Sequence, residues 1–236
     1  MKSPWDSVKE GYLRLIEPVA DYLARRRVNP NVITTIGTVC TIAAAVIYAF
    51  GHISIAGWVL GVTALFDVLD GVVARRTGRE TKFGAFYDSS LDRISDGMLL
   101  GGLTVFYATD TPRHSVTMVV ICLIAIIGTF LTSYTRARAD ALGIDARVGI
   151  LQRPERVVLL SAPQAIFGLA FHGLVLAAIV TLLAVTSWIT AVQRIAFVHD
   201  ATTRPGARRT EPVERSTLAA APDGARAAVH APSPLP

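Results

Sequence analysis

Asp67, Asp70, Gly71 and Ala74 stand at i, i+3, i+4 and i+7, and Gly84, Asp88, Asp92 and Asp96 follow at steps of four. Each set falls on one stripe of an α-helix. The chain around them is apolar, and ionisable side chains in such a setting mark function by default. Clustered carboxylates repel one another unless a cation lies between them. Oxygen donors from two facing helices are what a hard divalent cation takes, with Mg²⁺ keeping positions open for phosphate oxygens and water. Salt bridges to Arg75, Arg76 and Arg93 are the simpler account, but those arginines are too few and too poorly placed to neutralise every acid. Gly71 and Gly84 remove side chains beside the acids, either for a bulky ligand or for close helix packing. Arg75, one turn beyond Gly71, can hold a phosphate bidentately.

The elements that must position these residues are membrane helices. Of 236 residues, 52% are hydrophobic and 17% charged, where a soluble domain carries about a quarter charged. No Asp, Glu, Lys or Arg occurs in 31–66, 114–135 or 157–193. A span needs roughly 20 apolar residues, so the first and third stretches each hold two. Disorder, a disulfide scaffold and an ordinary soluble enzyme are excluded for most of the chain. Cys40 and Cys122 lie inside apolar stretches and read as buried thiols. The expected fold is an all-α polytopic membrane protein with six transmembrane helices, at about 31–50, 53–75, 84–108, 115–138, 154–171 and 174–197.

Residues 1–28 form a cytoplasmic N-terminus. In it Trp5, Val8, Tyr12, Leu15, Ile16, Val19, Tyr22 and Leu23 recur at helical spacing, the pattern of an amphipathic helix lying at the interface. No cleavable signal peptide is expected. Residues 29–199 form the six-helix transmembrane bundle that carries the acids. Residues 200–236, rich in Ala, Pro, Arg, Thr and Ser, read as a disordered cytoplasmic tail. Lys and Arg concentrate in the segments that would be interior, and the exterior loops hold only Arg113. Both termini and the acids therefore face the cytoplasm in a multi-pass protein of the cell membrane.

Written out, Asp67-x-x-Asp70-Gly71-x-x-Ala74-Arg75, eight residues, then Gly84-x-x-x-Asp88-x-x-x-Asp92 matches every fixed position of the signature of the CDP-alcohol phosphotransferases, membrane enzymes of phospholipid synthesis. The resemblance covers roughly residues 5–197. It implies that Asp67, Asp70, Asp88 and Asp92 ligate two divalent ions, Mg²⁺ or Mn²⁺, and that Asp92 is also the general base. It further implies that Asp67, Asp70, Gly71, Ala74, Arg75 and Gly84 form the CDP site. Asp96 extends the acidic stripe beyond the signature, as a supporting partner or a bridge to Arg93.

Local strings resemble the actinobacterial phosphatidylinositol-phosphate synthases: Asn29-Pro30-Asn31-Val32-Ile33-Thr34, Leu91 to Gly97, Ser133 to Asp140, Arg153-Pro154-Glu155-Arg156 and Val192-Gln193-Arg194. That likeness implies CDP-diacylglycerol as donor, an inositol phosphate as acceptor and a homodimer among membrane lipids, with no nucleic-acid partner. Ser133, Arg136, Arg138, Arg153 and Arg194 would hold the acceptor phosphate. Arg136 stands where that subfamily usually has Lys. Two other readings are a phosphatidylglycerophosphate synthase, whose acceptor is glycerol 3-phosphate, and a divalent-cation transporter. Against transport, the acids sit at one end of two helices and no polar path continues beyond them.

Overall fold

The structure is a computed structural model that describes residues 16–110 and 112–203. Among the described residues there is no strand. Helix α1 is described over 16–25, and α2 (Pro30–Ala49), α3 (Ile53–Thr77), α4 (Lys82–Ala108), α5 (Val116–Ala141), α6 (Arg153–Phe167) and α7 (Leu174–Thr203) follow, with a 3₁₀ turn at Ala170–Gly173 before α7.

Among the described residues four segments are long and apolar enough to cross a membrane: Pro30–Ala49, Ile53–Thr77, Val116–Ala141 and Ala170–Thr203. Two expected spans differ. α4 has the length, but Lys82, Asp88, Asp92, Arg93 and Asp96 lower its hydropathy. α6 has 15 residues, about 22 Å of helix against a hydrocarbon core of about 30 Å. Gly168 ends it at φ +50, and the chain then turns through left-handed Phe171 and His172. α7 runs to Thr203, past the expected boundary at residue 199, because the first breakers are Pro205 and Gly206. The rest of the expected tail lies outside the described residues, as do Trp5, Val8, Tyr12 and Leu15 of the expected amphipathic helix.

Helix starts follow local chemistry. Asn29 Oδ1 accepts the Asn31 N–H at 3.1 Å with Pro30 in the first turn of α2, and Thr81 Oγ1 accepts the Gly84 N–H at 2.9 Å at the start of α4. α2 packs on both α3 and α4, α5 on α4 and α7, and α6 on α3 and α7. α1 buries Ile16 and Ala20 against Ile33, Leu69 and Val73, while Arg76 of α3 pairs with Glu17 at 3.0 Å and with Asp21. The outer surface carries large apolar side chains such as Trp58, Val62, Ile127 and Val192, the inverse of a water-facing surface.

Two contacts set how closely the helices approach. A Cβ on Gly102 would lie 2.2 Å from the Ala45 carbonyl oxygen, and one on Gly57 would lie 2.5 Å from the Ala165 nitrogen. Both obstacles are backbone, which cannot move aside cheaply. The buried Tyr48 hydroxyl donates to the Leu160 carbonyl at 2.5 Å and ties α2 to α6. Gly102→Ala should therefore destabilise the protein by about 1–3 kcal/mol. Gly101→Ala is the control: a Cβ there meets nothing within 4 Å, so it should be neutral or stabilising by up to about 1 kcal/mol. Thermal unfolding of both variants in detergent checks the contrast.

Candidate active site

The acids of α3 and α4 face each other because α2 clamps both helices at its N-terminal end. Thr34 of α2 donates to Asp70 Oδ2 at 2.6 Å, and the Gly71 N–H donates to Asp70 Oδ1 at 2.5 Å. Asp70 is thereby buried with both oxygens oriented. Thr34 belongs to the string singled out in the sequence, but only the packing of α2 on α3 reveals its role. Asp88 lies one turn before Asp92 on the same stripe of α4.

One arginine from the far side of the sequence reaches into this cluster. Arg153, the first residue of α6, donates from Nη1 to Asp67 Oδ2 at 2.6 Å, and its Nη2 stands 2.9 Å from Asp92 Oδ1. Its Nε is 3.6 Å from Asp96 Oδ1, and Arg156 Nη2 is 3.6 Å from Asp96 Oδ2. Asp96 thus pairs with Arg153 and Arg156. Arg93 instead turns back along its own helix to the Ser89 carbonyl. Arg76 is engaged with Glu17 and Asp21, so it is Arg153 that neutralises the stripe. Sequence reasoning did not place Arg153 among the acids, since 86 residues separate it from Asp67.

Of the residues expected to form the CDP site, Gly71, Ala74 and Arg75 share one end of α3 and Gly84 lies in the first turn of α4. A Cβ on Gly71 would lie 3.3 Å from Arg75 Nη1, so the guanidinium rests over the glycine. Gly84 lies where a Cβ would meet Thr81 Oγ1 at 3.1 Å and Asn31 Oδ1 at 3.4 Å, at the shared end of α2 and α4. Ala74 is half-buried between Gly71 and Arg75.

Beyond Asp92 a cavity of about 1150 Å³ opens between α4, α5, the 147–152 connection, α6 and α7. Asp92 and Arg153 line it on the acid side, and Ser133, Arg136 and Arg194 line it elsewhere. Arg138 does not line it and is exposed. Two residues along a helix turn it about 200° from Arg136, so the expected grip includes one arginine that the fold directs elsewhere. Arg194 is buried, with Nε donating to the Val148 carbonyl at 2.9 Å and Nη1 to the Thr132 carbonyl at 2.5 Å. It fastens the connection that forms one wall. Arg156 also lines the cavity, a position inside a quoted string to which no role had been given.

Among the described residues no three His, Cys, Asp or Glu side chains are gathered tightly enough to hold a metal ion as they stand. The donor chemistry nevertheless fits one. The acids are all oxygen donors, suited to Mg²⁺ or Mn²⁺, and two of them, Asp67 and Asp92, already share a cation, the Arg153 guanidinium, which stands in for a metal charge.

The sequence pattern of the CDP-alcohol phosphatidyltransferase family matches residues 27–198. The chain is 36% identical over 201 residues to the phosphatidylinositol phosphate synthase of Mycobacteroides abscessus, covering 84% of this chain and 89% of that one. It is 36% identical over 185 residues to the archaetidylinositol phosphate synthase of Methanothermobacter thermautotrophicus, covering 78% and 89%. Among solved structures, phosphatidylinositol phosphate synthase of Mycobacterium tuberculosis with CDP-DAG bound superposes with a TM-score of 0.73 at 34% identity, over 85% of this chain and 100% of that one. The same enzyme in complex with manganese and citrate gives 0.72 at 35% identity, over 81% and 91%. Sequence pattern, overall identity and fold agree, and the chain belongs to the CDP-alcohol phosphatidyltransferase family.

Proposed function

We propose that the protein transfers the phosphatidyl group of CDP-diacylglycerol to the hydroxyl of 1D-myo-inositol 3-phosphate, giving phosphatidylinositol phosphate and CMP. The observation that carries this is the cavity in which Asp92 and the Arg136, Arg153 and Arg194 side chains share one wall system. A proton acceptor then stands beside a site whose charge suits a phosphorylated alcohol. Further support comes from relatives in bacteria and archaea whose names share inositol phosphate while their lipids differ.

In this mechanism Asp67, Asp70, Asp88 and Asp92 would hold two divalent ions, Mg²⁺ or Mn²⁺. When bound, these neutralise the pyrophosphate and stabilise charge on the departing CMP. Arg75, Gly71, Ala74 and Gly84 receive the cytidine diphosphate, the glycines leaving room for it. Arg136, Arg153 and Ser133 hold the acceptor phosphate, and Arg194 fixes the wall behind them. Asp92 takes the proton of the acceptor hydroxyl. That oxygen bonds to the phosphorus bearing diacylglycerol, and the bond from this phosphorus to the CMP oxygen breaks.

Helices α2 to α7 each cross the membrane in this scheme, with α1 at the interface, the active site and both termini cytoplasmic, and two chains forming a homodimer. The bundle of 29–199 is the catalytic domain, preceded by 1–28 and followed by a tail from residue 200. The charges of α4 lie between Lys82 and Asp96, toward the cytoplasmic end. The short α6 crosses with the help of the connection that leads through the 3₁₀ turn into α7. A reporter inserted after Pro112 should lie outside and one after Gly143 inside. The reverse pattern places the acids away from cytosolic substrates and defeats the scheme.

Asp92→Asn should lower CMP release by about 10²–10⁴-fold, and Asp70→Asn at least as much, with both proteins still folded. CMP release from CDP-diacylglycerol, followed with inositol phosphate, free inositol and glycerol 3-phosphate compared side by side, tests the reaction and the acceptor together. A preference for glycerol 3-phosphate would replace the inositol assignment. Arg136→Gln should raise the KM for inositol phosphate about ten- to a hundredfold, as expected for a lost charge-assisted hydrogen bond. The KM for CDP-diacylglycerol should stay unchanged, and Arg138→Gln should move neither.

A further inference from the structure

Arg153 occupies two places at once. Its guanidinium bridges Asp67 of α3 and Asp92 of α4, and the same side chain lines the cavity beside Arg136 and Ser133. It begins α6, so its long, flexible stem can carry the guanidinium from the acids to the cavity without any shift of the helix behind it. The network that holds it is incomplete: the buried Nε atoms of Arg153 and Arg156 and Oδ2 of Asp96 make no hydrogen bond among the described residues. A partly satisfied buried polar network is costly to keep.

Charge decides what a metal would do here. Two divalent cations match Asp67, Asp70, Asp88 and Asp92 charge for charge. Asp96, outside that set, keeps Arg156 as its partner. Arg153 is then a surplus cation beside metal charges, and the adjoining cavity is where a phosphate dianion would meet it. Without metal the reverse holds, since the acids would repel one another if Arg153 left.

We infer that Arg153 is an exchangeable counter-ion: it holds the acids together in the metal-free protein, is displaced when divalent cations bind, and is thereby delivered to the acceptor phosphate. Metal binding and acceptor binding are coupled through one side chain. By linkage each must strengthen the other by the same factor. The inference rests on the proposed acceptor site for its second half only. Competition between Arg153 and metal stands without it.

The test uses Mn²⁺ titration by electron paramagnetic resonance on the purified full chain in detergent. Inorganic phosphate probes the cavity, and inositol phosphate is used in a parallel arm. In the wild type, saturating Mn²⁺ should tighten phosphate binding by about tenfold, within the usual range of coupling between sites. Arg153→Gln should bind Mn²⁺ about tenfold more tightly, because the competing ion pair is gone. Arg153→Lys keeps the charge but loses the fork that spans Asp67 and Asp92. It should still bind Mn²⁺ about threefold more tightly, where a mere background charge would leave it unchanged. In both variants phosphate affinity should no longer depend on Mn²⁺. Unaltered Mn²⁺ affinity in Arg153→Lys overturns the competition, and this variant decides alone if Arg153→Gln fails to fold. Wild-type phosphate affinity indifferent to Mn²⁺, or coupling that survives in the variants, overturns the delivery. If the Mn²⁺ and inorganic phosphate results hold but inositol phosphate neither binds nor reacts, the counter-ion role stands and the acceptor assignment falls.

Discussion

Carboxylates on facing helices of an apolar bundle can exist only if something cationic sits between them, and that requirement organises this protein. Five aspartates lie on two stripes of α3 and α4. Removing such groups from water is expensive, and an unpaired buried charge costs several kcal/mol. Arg153 answers the need by spanning Asp67 and Asp92 while approaching Asp96. The same electrostatic demand makes the cluster receptive to divalent cations. The oxygens that Arg153 occupies are therefore the ones a divalent cation would take.

Everything else in the bundle serves to present those stripes to each other. α2 lies against both α3 and α4, and Thr34 supplies the hydrogen bond that orients Asp70. The close approach of Gly102 to Ala45 and of Gly57 to α6 brings the helices near enough for short side chains to meet. Small residues at helix crossings are the usual means of doing this in a membrane, where no hydrophobic drive separates helix contacts from lipid contacts. α1 closes the same end of the bundle, its Glu17 and Asp21 engaging Arg76 and so keeping that arginine away from the aspartate stripes.

The cavity side of the bundle is built differently. Its wall is the connection between α5 and α6, irregular backbone whose Val148 carbonyl is held by Arg194 from α7, while the Ile150 N–H donates to Thr190 Oγ1 at 3.2 Å. Gly149 stands where a Cβ would lie 2.5 Å from the Thr190 side chain, at φ +149. A loop clamped in this way fixes the shape of the cavity independently of the helices beneath it.

The sequence by itself determined the membrane class, the two acidic stripes and the family. Uncharged runs and helical spacing are local properties, and a fixed string of eight residues needs no fold to be read. The boundaries of α2 and α3 were legible for the same reason, in Asn29-Pro30 and Gly78. Tertiary structure alone decided which arginine meets which acid. Arg153 and Asp67 are far apart in the chain, and nothing local distinguishes Arg153 from Arg75, Arg76 or Arg93. It also decided that Arg136 faces the cavity and Arg138 does not, and that Arg194 binds backbone carbonyls. A positive charge near a membrane surface reads the same in sequence whatever it touches, and its role is set by the direction of the side chain and by the partners that packing brings within about 3 Å.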